Sequence, residues 1–256
     1  MARALRREAR VAQLQSDFVA AVSHEFRSPL TTMRQMAEML ETDRVADEAR
    51  RKQYYRVLAS ETARLQRLVE RLLDFGRMEA GGDAPQHERL DLSTVVDEVV
   101  AAMAEPTSHH HTRIEIVSTA SAGIVRGDPA ALALAVRNLI ENALKYSPDR
   151  SMVTVTLGRE GASVAIAVSD QGAGIAKDEQ AAIFGKFVRG RAAIAGRVSG
   201  TGVGLAAVKH VVDAHGGAIR LESEPGRGST FTVLLPLDES GAPGADVTSA
   251  AAGSEA

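Results

Sequence analysis

Two sets of residues in this chain have the types and spacing to do chemistry on phosphate. The first is a lone imidazole in a charged segment, Ser23-His24-Glu25-Phe26-Arg27-Ser28-Pro29-Leu30. An uncharged imidazole is nucleophilic and titrates near neutrality, so it suits a phosphate acceptor. Pro29 cannot donate to the carbonyl of Glu25, four residues back, and the helix is expected to kink or loosen just after the histidine. A proline inside a helix costs roughly 3 kcal/mol, an odd expense without a use. Phe26 and Leu30 read as the packing face here, which turns His24 outward.

The second set lies much further along. Asn138 and Asn142 are four apart on an apolar helix and point the same way, with Lys145 and Tyr146 one turn on. An amide oxygen is a hard neutral ligand suited to magnesium, and an ammonium suits a phosphate. Asn is a poor helix former with no structural reason to appear twice here. Asp170 closes a strand-like run and precedes Gly172 and Gly174. An ionised carboxylate only accepts hydrogen bonds, so it needs a donor such as the exocyclic amine of adenine. The glycines let backbone approach a flat ligand. Gly200-Thr201-Gly202-Val203-Gly204-Leu205 runs directly into a helix, whose first N–H groups bind phosphate well. Its spacing is neither a dinucleotide fingerprint nor a P-loop.

The elements that must position these residues follow from periodicity. In the first eighty residues two helices carry apolar seams. One holds Phe26, Leu30, Met33, Ala37 and Leu40, and the other Tyr54, Leu58, Glu61, Leu65, Leu68, Leu72 and Phe75. Two helices cannot enclose seams this long, and a dimeric four-helix bundle covers them. Gly81 to His87 reads as a linker. Beyond it come a helix over 95–103 and short strands over 112–118 and 123–126. Pro129 then opens the Asn helix, a hairpin follows over 152–159 and 163–169, a helix runs over 203–214, and strands over 218–222 and 229–235 close the pattern. This is an α+β sandwich with helices on one face of a mixed sheet. The tail from Asp238 is rich in Gly, Ala, Ser and Pro and is expected to be disordered.

Composition narrows the classes. With 45% hydrophobic residues in 256 the chain can bury a core, built of aliphatics since aromatics are 4%. The absence of cysteine excludes disulfides, thiolate metal sites and Cys nucleophiles. A net charge of −3 gives no reason to expect nucleic acid. No apolar run approaches a membrane span, and the basic opening Arg3, Arg6, Arg7 and Arg10 suits a solvated helix face or the flank of a missing membrane segment. A cytoplasmic protein, or the cytoplasmic part of a membrane-bound sensor, is expected.

The three nucleotide elements in this order resemble the ATP-binding domain shared by histidine kinases, gyrase-type ATPases, Hsp90 and MutL, the Bergerat fold. Gly127-Asp128-Pro129 before the Asn helix, Ile183-Phe184-Gly185-Lys186-Phe187-Val188-Arg189 and Pro225-Gly226-Arg227-Gly228-Ser229-Thr230-Phe231 are similar to the sensor histidine kinase branch. The resemblance covers roughly 88–237. It implies a mobile lid over ATP from Ala176 to Ser199, magnesium on Asn142 with Asn138, and Lys145 and Arg189 facing phosphates. It also implies Tyr146 beside the nucleotide and Asp170 reading adenine with help from Thr230. Ile175, Phe187 and the glycine turns complete the implied nucleotide site. Val203 stands where the family usually has Leu.

Phe18 to Leu30 resembles the H box of the same kinases. The resemblance implies that His24 attacks the γ-phosphate, that Glu25 orients and deprotonates it, and that the phosphoryl group passes to an aspartate of a response regulator receiver domain. It also implies a homodimer. Members that dephosphorylate the regulator carry Thr or Asn four residues after the histidine, where this chain has Ser28. The main rivals are an anti-sigma-type serine kinase, which lacks the H box and hairpin, and an ATP-gated module without transfer, against which His24, Asn142, Asp170 and Arg189 all argue. His87, His210, His215 and His109-His110-His111 carry no motif and read as structural or solvated.

Overall fold

The computed structural model describes residues 2–42, 47–79, 87–103, 113–118, 123–196, 198 and 200–240. It opens with an antiparallel hairpin of two long helices, α1 (Ala2–Glu41) and α2 (Glu48–Glu79). Contacts between them step away from the turn: Tyr54 Oη to Met39 Sδ at 3.7 Å, Thr62 Oγ1 to Met33 Sδ at 3.4 Å, Arg64 to Glu25 at 3.7 Å. The α2 seam is as expected, with Leu68 buried and Tyr54, Leu58, Glu61, Leu65 and Leu72 half-buried; the side chain of Phe75 lies outside the described residues. The α1 seam is rotated. Phe26, Met33 and Leu40 are half-buried, but Leu30 and Ala37 face out, while Pro29 is buried and Thr32 and Met36 half-buried beside it. The helix runs through Pro29 without a break in its assignment. The proline's missing N–H removes one rung, and neighbouring rungs carry the helix across.

The second unit is an α+β sandwich, as expected. Five strands line up in the order β2 (Arg113–Ser118), β4 (Met152–Glu160), β5 (Ser163–Asp170), β7 (Gly228–Pro236) and β6 (Ala218–Glu224). The β2–β4 pair is parallel and the others antiparallel, so the sheet is mixed. Alternation dictates its faces: Val153, Val155 and Leu157 of β4 and Val164, Ile166 and Val168 of β5 are all buried on one side. Against that side pack α3 (Leu92–Met103), α4 (Pro129–Tyr146) and α6 (Gly204–Ala214). In α4 the buried positions Leu132, Ala135, Val136, Leu139, Ile140 and Ala143 follow the three-four spacing of one helix face. Each such side chain contributes about 1.5–3 kcal/mol when fully buried, alanines aside.

The start of α4 is fixed by Asp128, whose Oδ1 accepts from the N–H groups of Ala130 at 2.9 Å and Ala131 at 3.1 Å. Just before it β3 (Ile124–Gly127) pairs antiparallel with β1 (Glu88–Asp91), a strand that the sequence pattern did not reveal. Asp238, placed at the start of the tail, donates its N–H to Ile124 O at 2.8 Å and pairs with Arg89 at 2.9 Å. The tail beyond 240, most of the linker, and His109 to His111 lie outside the described residues. The expected lid contains a 3-10 turn (Ala182–Phe184) and a short helix, α5 (Arg191–Ala195).

Candidate active site

A cavity of about 320 Å³ opens between α4, the end of β5, the 176–199 segment and the start of α6. Asn138, Asn142, Lys145 and Tyr146 line it from one stripe of α4, as their spacing requires. Asn138 is 7% exposed, and its Nδ2 donates to Leu134 O at 2.9 Å. That bond turns Oδ1 toward Gly204 at the head of α6, where an added Cβ would come within 3.0 Å. Lys145 Nζ lies 5.0 Å from the centre of the Tyr146 ring, a cation–π contact. Burial pushes the Tyr146 hydroxyl above the usual range, with the Arg189 guanidinium opposing the rise.

At the opposite wall Asp170 is 9% exposed. Its Oδ1 accepts from Gly172 N at 2.7 Å and from Ser229 N at 3.2 Å. Burial raises this carboxyl above its usual range, and the two backbone donors oppose the rise. Gly174 and Ile175 continue the wall. Gly174 has φ +67°, and a Cβ there would lie 2.0 Å from Glu224 O, so only glycine fits. Thr230, expected beside Asp170, stands on the other face of the sheet, where its hydroxyl meets Ser169 Oγ at 2.8 Å. Strand alternation explains the exchange: Ser229, one residue earlier, shares the face of Asp170 and lines the cavity in its place.

Arg189, Gly200, Thr201, Gly202, Val203, Gly204 and Leu205 form the third wall. Arg189 donates to Val198 O, which holds its guanidinium against the 176–199 segment. Gly202, at φ +74°, accepts from Phe187 N at 2.9 Å, and a Cβ on it would lie 2.8 Å from the Phe187 carbonyl carbon. Phe187 and Gly172 stand behind the wall. Phe187 has φ +65°, and its ring packs on Phe18 of α1 with centroids 4.3 Å apart. Ile183 and Phe231, from the motifs noted above, also line the cavity, as do Ala193 and Glu141; an apolar residue inside core periodicity carries no signal of a ligand, and a single Glu on a helix carries none either.

The helical hairpin meets this wall. His24 is exposed on α1, as expected, and Ser28 is exposed one turn on. Glu25 is turned the other way, its side chain 13% exposed. Its Oε1 accepts the backbone N–H of Gly200 at 2.7 Å, and its Oε2 lies 3.7 Å from Arg64 Nη2, while Arg64 Nη1 faces Glu61 Oε2 at 3.6 Å. Adjacent helical residues diverge, so the carboxylate reaches the glycine turn while the imidazole stays on the solvent side.

His215 has a structural role. It is 8% exposed, its Nδ1 bonds Val211 O at 2.7 Å, and its Nε2 accepts from Asp128 N at 3.0 Å. A ring nitrogen that accepts carries no proton, so Nδ1 is the donor. His87 stacks on it at 4.9 Å. Burial lowers the pKa of His215, opposed by its bond to Val211.

Comparisons with known proteins agree with this arrangement. Residues 14–81 match the His Kinase A (phospho-acceptor) domain, and residues 127–239 match the histidine kinase-, DNA gyrase B-, and HSP90-like ATPase domain. The chain is 37% identical over 230 residues to the sensor-like histidine kinase SenX3 of Mycolicibacterium smegmatis, covering 89% of this chain and 59% of that protein. It is also 37% identical over 234 residues to the sensor protein DivL of Caulobacter vibrioides, covering 91% of this chain and 29% of that one. The chain thus spans little more than half the length of SenX3. Among solved structures, a mycobacterial sensor histidine kinase, MprB, superposes with a TM-score of 0.51 at 32% identity, covering 59% of this chain and 97% of that one. The Acinetobacter baumannii histidine kinase AdeS shares the fold, with a TM-score of 0.60 at 23% identity over 84% of this chain and 98% of that one. With a phospho-acceptor domain followed by an ATPase domain, and 97% of MprB covered at 32% identity, the chain belongs to the sensor histidine kinase family.

Proposed function

We propose that this chain is a kinase core that phosphorylates His24 from ATP and passes the phosphoryl group to an aspartate of a response regulator. One observation carries the reading: the carboxylate next to the acceptor histidine is bonded to the glycine turn that walls the cavity, 2.7 Å from Oε1 to Gly200 N. Helix α1 and the cavity wall thus touch within one chain.

In the proposed step the lone pair of one His24 ring nitrogen attacks the γ-phosphorus. The bond from phosphorus to the β,γ-bridging oxygen breaks, and ADP leaves with that electron pair. The proton on the other ring nitrogen passes to Glu25, whose carboxylate must first leave Gly200 N and Arg64 and turn toward the ring. The rest is positioning and charge neutralisation. Lys145 and Arg189 face the phosphates, Tyr146 lies against the nucleotide, and Asp170 accepts from the adenine amine. Thr201 to Leu205 offer backbone donors at the start of α6. Magnesium fits the donor set, because the Leu134 bond to Asn138 Nδ2 leaves an amide oxygen toward the cavity and Asn142 stands one turn on. Asn142 with Asn138 would hold it, and the ion would neutralise phosphate charge.

The proposed units are a phosphotransfer hairpin over 1–80, a linker over 81–87, an ATP-binding domain over 88–237 and a tail over 238–256. A second copy of the chain is the proposed cover for the apolar residues that α1 and α2 leave exposed, among them Val19, Leu30, Tyr55, Val69 and Leu73. Ser28, exposed one turn beyond His24, is positioned to orient water in a phosphatase step on the regulator. Among the described residues no helix is long and apolar enough to cross a membrane; a cytoplasmic setting, alone or beneath a membrane-bound sensor, is proposed. Incubation with γ-labelled ATP tests the reading. Acid-labile, base-stable label should form and should vanish in His24→Gln. Label that survives acid, or that persists in the variant, overturns it.

A further inference from the structure

The carboxylate that would read the base ends β5 and opens a turn, Asp170 to Ile175, which is tied at its middle by Gly172 N donating to Asp170 Oδ1 at 2.7 Å and Gly226 N donating to Ala173 O at 2.8 Å. Its far end is tied by two residues outside the cavity wall. Ser223, on β6, donates its hydroxyl hydrogen to Gly228 O at 2.9 Å and accepts from Ile175 N at 2.8 Å. Its Oγ also lies 3.0 Å from Ser229 Oγ. A hydroxyl has one hydrogen and two lone pairs. With its hydrogen committed to Gly228, Ser223 must accept from Ser229, and all its bonding capacity is used. Ser229 in turn supplies the backbone N–H to Asp170 Oδ1 at 3.2 Å.

Gln180 closes the same circuit from the base of the 176–199 segment. Its Nε2 donates to Ile175 O at 3.1 Å and to Ser223 O at 3.0 Å. Both partners are carbonyl oxygens, so the amide orientation is decided by chemistry: only the nitrogen end can face them. One side chain thus spans the turn, β6 and the first residues of the segment over the cavity. Neither residue lines the cavity.

We propose that Gln180 and Ser223 are positioning residues that hold the Asp170 turn in the shape that recognises an adenine base and so set nucleotide affinity and base preference. The inference rests on the reading of the cavity as an ATP site. Neither residue is near His24, so the transfer step itself is untouched. Loss of the Gln180 amide lets the turn move away from the base, which costs binding before it costs rate.

The experiment measures ATP and GTP dissociation constants by calorimetry, and autophosphorylation against ATP concentration, for the whole chain. The variants are Gln180→Met, Gln180→Glu, Ser223→Ala and Ser223→Thr. Gln180→Met keeps the bulk and loses both donors. ATP is expected to bind it at least fivefold more weakly, with KM raised in step and the rate at saturating ATP within twofold of the parent. Gln180→Glu, an acceptor facing two acceptors, is expected to be weaker still. Ser223→Ala should follow Gln180→Met, and Ser223→Thr, which restores a hydroxyl, should recover parent affinity. In the weakened variants the preference for ATP over GTP should fall. Affinities within twofold of the parent in both Gln180→Met and Ser223→Ala overturn the proposal, as does an equal loss of ATP and GTP binding. A parent chain that binds no ATP would instead sink the ATP-site reading on which the inference rests.

Discussion

Glu25 and Gly200 are joined across the boundary between the helical hairpin and the ATPase domain, Oε1 accepting from the backbone N–H at 2.7 Å. The residue proposed to take the proton from His24 is thus also a strut to the glycine turn that walls the cavity. The two duties separate by substitution. Glu25→Gln keeps an amide oxygen that can accept from Gly200 but cannot serve as a base, whereas Glu25→Ala loses both. General-base loss lowers rates by about 10²–10⁴-fold. Single-turnover labelling should show Glu25→Gln slowed by about 10² with ATP affinity unchanged. A Glu25→Gln variant as fast as the parent would leave Glu25 with the strut alone.

Asp170 is held above its usual pKa by burial, with Gly172 and Ser229 opposing. A folded-state pKa above the unfolded value means that the folded chain binds more protons over that interval. The stability associated with Asp170 is therefore fully present below the unfolded pKa and is lost as pH rises through the folded one. At neutral pH the ionised carboxylate costs stability. Asp170→Asn keeps an oxygen for both backbone donors and replaces the charge with a donor that opposes the adenine amine. Thermal melting should be unchanged or higher, while ATP binds at least about tenfold more weakly, as for a polar group left unpaired at about 1–3 kcal/mol. A variant that binds ATP normally would remove Asp170 from base recognition.

His215 gives the opposite sign. Burial lowers its folded-state pKa below the ordinary histidine value, and its neutral ring accepts from Asp128 N at 3.0 Å. The unfolded chain then binds more protons below about pH 6.5, so the His215 contribution is present above that pH and lost as pH falls toward the folded pKa. Urea unfolding between pH 5 and 8 should show stability rising with pH. His215→Phe should flatten that slope and cost about 1–3 kcal/mol at pH 8, where Asp128 N–H loses its acceptor. An unchanged slope in the variant would place the titration elsewhere.

Gly174→Ala puts a Cβ 2.0 Å from Glu224 O on a backbone with φ +67°. The turn must shift, and ATP affinity should fall at least about tenfold, since strain of about 1–3 kcal/mol is released only by displacing the turn. Calorimetric titration with ATP measures it, with Gly161→Ala, also at positive φ but facing open space, as the comparison.

Much of this was legible in the chain. The stripe of Asn138, Asn142 and Lys145 follows from helical spacing, and Asp128 with Pro129 marks where that helix begins. The antiparallel hairpin over 152–159 and 163–169 follows from alternation. Other features escaped for identifiable reasons. The strand at Glu88–Asp91 has one apolar residue, and its pairing with β3 is long-range. Thr230 and Ser229 are chemically alike, and only strand register tells which one faces Asp170. In α1, Leu30 and Pro29 belong to neighbouring stripes, and periodicity does not say which stripe meets α2. Gln180 and His215 bond mostly to main-chain groups, which no sequence pattern records.

The Glu25 strut ends on a main-chain amide, and that has an evolutionary consequence. A side-chain partner would have to covary with the carboxylate; a peptide N–H is supplied by every residue but proline. What constrains position 200 is instead its backbone, with φ +155° and Lys145 Nζ where a Cβ would sit, so adjusting the strength of the joint falls to Glu25 on α1 and Arg64 on α2.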